Sequence, residues 1–183
     1  MKELSLNILD IAENSVKAGA TLTEITVDES ENTLVLTVSD NGCGMPPDIL
    51  QTVSDPFYTT RTTRKVGMGL PLLKMEAEQT GGSMTVSSVS KDIDPVNHGT
   101  SVTAVFNIQH IDFTPLGDVS ETIITLIQGH PDIDFCFLHR NDGKEVKLDT
   151  RELRSELGDV PLNCYDVISW IREYLHEQYD RFK

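Results

Sequence analysis

Long apolar runs are missing from this 183-residue sequence, and no stretch approaches the ~20 residues of a membrane span. The N-terminal MKELSLNILDIAENS places Asp10 and Glu13 where a secretory leader keeps an unbroken apolar centre. Positive charge is scarce as well: 15 Lys and Arg stand against 29 Asp and Glu, a formal charge of −14. Both halves share the deficit, so neither forms a basic footprint for nucleic acid or for an anionic membrane surface. Cysteine is sparse. Cys43, Cys136 and Cys164 lie far apart, with no Cys-x-x-Cys pair and no partnering His. That excludes a disulfide framework and a zinc knuckle, and it suits reduced thiols in a cytoplasmic protein. Repeats and low-complexity tracts are absent too. What remains, 38% apolar and 24% charged residues, is the composition of an ordinary folded domain.

Apolar spacing then orders the chain. Leu4, Ile8, Ile11, Ser15 and Ala18 recur at three- and four-residue steps, which predicts a helix over 3–18 capped by Gly19. TLTEITVDE (21–29) and TLVLTVS (33–39) alternate as strands around a polar turn. Pro46, Pro47 and Asp48 open a short helix, and a second runs from about Gly69 to Thr80, with Pro71 harmless in its first turn. SMTVSSV (83–89) and GTSVTAVFNI (99–108) are two more strands. This order predicts an α+β fold, a two-layer α/β sandwich with helices on one face of a mixed or antiparallel sheet. Near residue 110 the pattern resets. A capping box at Asp118-Val-Ser-Glu121, a hairpin around Asn141-Asp-Gly143 and helices from Thr150 and over 164–182 predict a small α+β module over 111–183. Its role is open: it packs on the first domain (1–110), dimerises or docks a partner.

Against the acidic background, DPFYTTRTTRKVGMGLPLLK (55–74) crowds Arg61, Arg64 and Lys65 into five residues with no balancing carboxylate among them. Arg binds two phosphate oxygens at once, and Thr59, Thr60, Thr62 and Thr63 add hydroxyl donors. Behind Gly67 and Gly69 a helix offers free N–H groups to an anion. The pattern is neither the Gly-x-x-x-x-Gly-Lys-Ser/Thr phosphate loop nor the Gly-x-Gly-x-x-Gly dinucleotide fingerprint. Elsewhere a strand ends in a lone acid, Asp40, and runs into Gly42 and Gly44, a carboxylate suited to an exocyclic amine such as that of adenine. On the first helix Asp10, Asn14 and Lys17 share a face, and Asn14 offers a hard oxygen to magnesium.

Taken together, ENSVKAGA (13–20), DNGCGM (40–45), DPFYTT (55–60), GMGL (67–70) and HGT (98–100) resemble, in order and spacing, the boxes of the histidine-kinase-like ATPases. That group includes gyrase B, heat-shock protein 90, MutL and the sensor kinases. The resemblance covers about residues 4–108 and implies the ATP-binding (Bergerat) fold with ATP and magnesium as cofactors. It implies that Asn14 ligates magnesium, Asp40 holds the adenine amino group, Gly44 lets the base approach and Thr100 reaches the base through water. Lys17, Arg61, Arg64 and Lys65 then face the phosphates, and Gly42, Met45, Thr60, Gly67, Met68, Gly69 and Leu70 complete the nucleotide site. Phe57 packs the lid hinge.

Where the hydrolysing branches carry a Glu general base, this chain has Asp10, one methylene shorter. The short TTR…GMGL lid is similar to those of sensor kinases and anti-sigma kinases. His110 lacks the neighbouring acid and the helical setting of a phosphoacceptor, and His98, His130, His139 and His176 read as surface or structural residues. The expectation is a cytoplasmic kinase-type regulator that phosphorylates or controls a protein partner, with no nucleic-acid or membrane partner and with homodimerisation open. The alternatives are a weak ATPase using Asp10 and a non-catalytic nucleotide sensor.

Overall fold

The computed structural model describes residues 3–53 and 69–182. In chain order the elements are α1 (Leu4–Lys17), β1 (Leu22–Glu29), β2 (Thr33–Asp40), α2 (Pro47–Leu50), α3 (Gly69–Gln79), β3 (Ser83–Val89) and β4 (Gly99–Asn107). Then follow α4 (Val119–Gly129), β5 (Asp134–Asn141), β6 (Lys144–Asp149), α5 (Thr150–Leu157) and α6 (Tyr165–Phe182). The strands form one six-stranded sheet in the order β3-β4-β2-β1-β5-β6. It is mixed: β5 runs parallel to β1 and every other neighbour is antiparallel.

Alternation decides which face is covered. Ile25 and Val27 of β1, Leu34, Leu36 and Val38 of β2, Val102, Ala104 and Phe106 of β4, and Phe135 and Phe137 of β5 are all buried. The residues between them are half-buried or exposed, as a period of two requires when one face meets helices. Leu4, Ile8, Ile11 and Ala12 of α1 and Leu70, Leu73 and Ala77 of α3 supply the opposing layer. Removing a Leu, Ile or Phe side chain from water contributes roughly 1.5–3 kcal/mol, so this apolar layer is the main force holding helices to sheet.

Past residue 110 the sheet continues without a break. Leu22 to Glu29 pair in register with Asp134 to Asn141, and Ile123, Ile127, Ile171 and Leu175 join the same apolar core. Helix α4 packs on α1, and α6 packs on α4 and β6. Asp118 accepts from the Glu121 N–H at 2.9 Å, half of the expected capping box. Asp142 and Gly143 take φ 48° and 80°, the pair of left-handed residues that a two-residue hairpin turn needs. No helix among the described residues is long and apolar enough to cross a membrane.

Candidate functional site

Strand β2 delivers Asp40 at its last position, directly opposite Thr100 near the start of β4, and Thr100 is in turn opposite Ser88 of β3. The three side chains share the helix-facing side of the sheet, one step beyond the last core layer of Val38 and Val102. Asp40 is held from two sides. Its Oδ2 accepts from the Ser15 hydroxyl of α1 at 2.7 Å, and its Oδ1 accepts from the Gly42 N–H at 2.8 Å. Each carboxylate oxygen keeps further lone pairs for a ligand. Beside Asp40 in the β1 register, the fully buried Thr23 hydroxyl has no hydrogen-bond partner among the described residues.

The loop after Asp40 is tied down along its length. Asn41 accepts from the Thr21 and Leu22 N–H groups at 2.9 and 3.0 Å and donates to the Thr21 hydroxyl at 2.8 Å. His98 Nδ1–H donates to the Gly42 carbonyl at 2.6 Å, which fixes that nitrogen as the protonated one. Cys43 N–H donates to Ala18 at the end of α1, and Met45 N–H donates to the Ser88 hydroxyl at 2.8 Å. A Cβ on Gly42 would press on Ala18, and one on Gly44 would collide with the Val89 carbonyl. Close backbone approach therefore requires glycine at 44, and at 42 a side chain would have to displace the Ala18 methyl and the Asp40 carboxylate.

Helix α1 carries Asp10, half-buried, at its middle, Asn14, half-buried, in its last turn and Lys17, exposed, as its last residue. The Asp10 carboxylate is turned onto Gly69, the first residue of α3, so closely that a Cβ there would overlap it. Leu70 is buried behind Gly69. The structure thus brings Asp10 and Gly69 together at the middle of α1, and Ser15, Asp40, Gly42, Gly44, Met45 and Thr100 around its C-terminal end. Thr60, Arg61, Arg64, Lys65, Gly67 and Met68, like Phe57, lie outside the described residues. Among the described residues no cluster of three or more His, Cys, Asp or Glu forms a ready metal cage. The half-buried Asn14 carboxamide is a hard oxygen donor of the kind that magnesium, which keeps several of its waters, accepts.

Two residues of this network lie outside the expected site. His98, read from the sequence as surface or structural, has a structural role: it bonds the glycine loop. Ser88 carries no motif; its only cue is a hydroxyl at the third inward position of Met84, Val86 and Ser88, where alternation asks for an apolar side chain.

A family profile described as histidine kinase-, DNA gyrase B-, and HSP90-like ATPase matches residues 2–110. The chain belongs to this family. As an ATP-binding domain of the histidine-kinase-like ATPases, it is 38% identical over 93 residues to the sensor protein SrrB of Staphylococcus aureus. That alignment takes in 48% of this chain and 16% of the sensor protein's length. Among solved structures, the Aquifex aeolicus MutL ATPase domain complexed with ADP superposes with a TM-score of 0.56 at 17% identity, over 86% of this chain and 68% of that one. The N-terminal domain of a DNA repair protein gives 0.55 at 18%, over 81% and 53%. At such identities the likeness is one of fold. Covering 86% of the chain, it reaches past residue 110 into the elements that complete the sheet.

Proposed function

We propose that this chain binds magnesium-ATP between α1, the 40–45 loop and the start of β4, and transfers the γ-phosphate to, or controls, a protein partner. The observation that carries the reading is the doubly anchored Asp40 carboxylate beside Gly42 and Thr100, an acceptor fixed in place before any ligand arrives. A preset acceptor does not have to be ordered on binding, so its bond to an exocyclic amine counts nearly in full. Asn14 would hold the metal and Lys17 would lie toward the phosphates. Bound magnesium would neutralise phosphate charge. The similarity to part of a sensor protein supports a kinase-type role over a purely structural one.

Calorimetric titration of the full chain with ATP and ADP, with and without magnesium, tests the reading. Wild-type protein is expected to bind, and Asp40→Asn to lose roughly 10- to 100-fold in affinity, the effect of one charged hydrogen bond. Absence of heat with wild-type protein would end the proposal. A second reading, slow hydrolysis with Asp10 as base, draws on the placement of Asp10 against Gly69, one turn from Asn14. Phosphate release that survives unchanged in Asp10→Asn removes it.

A further inference from the structure

We propose that the outer edge of β3 is a self-association surface, on which a second copy of this chain lays its own β3 antiparallel so that two six-stranded sheets join into one. The inference stands independently of the nucleotide reading. The sheet has two outer strands, β6 and β3, and they are finished differently. Strand β6 (KEVKLD) carries Lys144, Glu145, Lys147 and Asp149. The Gln178 side chain of α6 also closes its backbone: Oε1 accepts from the Lys147 N–H and Nε2 donates to the Lys147 carbonyl, both at 3.0 Å. Charge and a covering group are the ordinary guards against a further strand. Strand β3 (SMTVSSV) has no charge and no proline among its seven residues.

The ladder tells which backbone groups are free. Ile108 N–H donates to the Asn32 carbonyl at the end of the β2–β4 register, so even-numbered residues of β4 bond β2 and odd-numbered ones bond β3. Their partners in β3 are Ser83, Thr85, Ser87 and Val89. Met84, Val86 and Ser88 therefore turn their N–H and C=O groups away from the sheet, and no group among the described residues bonds them. A second β3 laid antiparallel, with the two-fold axis at Val86, satisfies all three and sets Thr85 of each copy across from Ser87 of the other.

Charge argues for a second copy. A neutral strip favours a partner that the rest of an acidic surface would repel, and another chain of charge −14 is such a partner. The two ends of the strand also complement one another. After β3 come exposed Val89 and Ile93 with Lys91 between them; before it come exposed Glu78 and Gly81, which has open space beside it. Antiparallel pairing brings these ends together, apolar side chains over a bare turn and Lys91 toward the Glu78 side. Asp92 and Asp94 follow Lys91 in that loop, and Asp94 is occupied by the Val96 and Asn97 N–H groups at 2.9 Å.

The test is sedimentation of the full chain across roughly 1 μM to 1 mM. A short ladder is a small interface, so wild-type protein is expected to pass reversibly from monomer to dimer in roughly the micromolar range. Added salt is expected to strengthen the dimer, because it screens the repulsion between two acidic copies. Thr85 and Ser87 are exposed, so Thr85→Lys with Ser87→Lys leaves the core alone and sets like charges across the two-fold axis. That variant, and separately Thr85→Glu with Ser87→Glu, is expected to weaken the dimer by about tenfold or more. An equal mixture of the two is expected to associate again, each Lys then facing a Glu. Should the variants fail to fold, hydrogen exchange on wild-type protein gives a second reading: the Met84, Val86 and Ser88 amides are expected to slow as concentration rises, with no change at Lys147. A dimer that survives both double variants, a mixture no more associated than its parts, or exchange independent of concentration would overturn the inference. Wild-type protein that stays monomeric throughout would overturn it too and leave the edge to a strand of a different protein.

Discussion

Gly44 takes φ +65°, and a Cβ at that position would run into the Val89 carbonyl, so two independent costs meet in one residue. A left-handed conformation costs a non-glycine residue roughly 1–2 kcal/mol, and the collision forces the loop off β3 besides. Gly44→Ala is expected to lower stability by about 2 kcal/mol or more in denaturant unfolding and to weaken ATP binding further than the stability loss alone explains. Wild-type stability in that variant would show that the loop relaxes freely. At this scale the sequence was informative wherever chemistry and spacing coincided. Asp40 stands out because a lone acid ends an apolar strand and meets two glycines, and the structure anchors it from Ser15 and Gly42. The particular partners of Ser88 and His98 are not legible. Each acts through a partner distant in sequence, Met45 or Gly42, and nothing local marks a hydroxyl or an imidazole for such a role.

Helix α6 is fastened at its far end by a buried polar contact as well as by Val167, Ile171 and Leu175. His139 of β5 is buried beneath it. Its Nδ1 lies 2.8 Å from the Tyr179 hydroxyl, and its Nε2 lies 3.2 Å from Glu29 Oε1 without the angle of a hydrogen bond. Phe182 packs on the ring with centroids 4.6 Å apart. Burial pushes the His139 pKa below 6.5, opposed in part by Glu29 and Asp28. A histidine held neutral in the fold contributes stability that is complete above its unfolded value and is lost as pH falls below it, because the unfolded chain binds the proton more readily. Between pH 7.5 and 5.5 the loss is expected to begin near 6.5, with a slope of at most about 1.4 kcal/mol per pH unit, and to disappear in His139→Gln. A variant with the same pH slope as wild type would assign the effect to other groups. The helix and strand boundaries were largely readable from periodicity, to within a residue or two for α1, β3 and α3. Their partners were not. Alternation in FCFLHR tells which residues face inward, yet nothing in it states that β5 lies beside β1, more than a hundred residues away.

That pairing governs how the molecule behaves as a whole. The family profile ends at residue 110, whereas the sheet and its apolar core do not. Without β5, strand β1 would become an open edge, and without α4 the flank of α1 would be bare, both hazards for a chain expressed as residues 1–110. Trp170 on α6 is the single tryptophan of the chain and lies in the part farthest along the sequence from Asp40, so its fluorescence reports on that part alone. If one core unites both parts, a ligand held at Asp40 must also delay the unfolding seen by Trp170. At a free ATP concentration about 100 times its dissociation constant, linkage predicts about 2.7 kcal/mol of stabilisation in the fluorescence transition, matched by far-ultraviolet circular dichroism. A fluorescence midpoint that ignores ATP while the dichroism midpoint rises would mean that the strands past residue 110 come apart on their own. The continuous β1–β5 ladder argues for the coupled outcome, since its residue pairs along β1 must all break before either half can open.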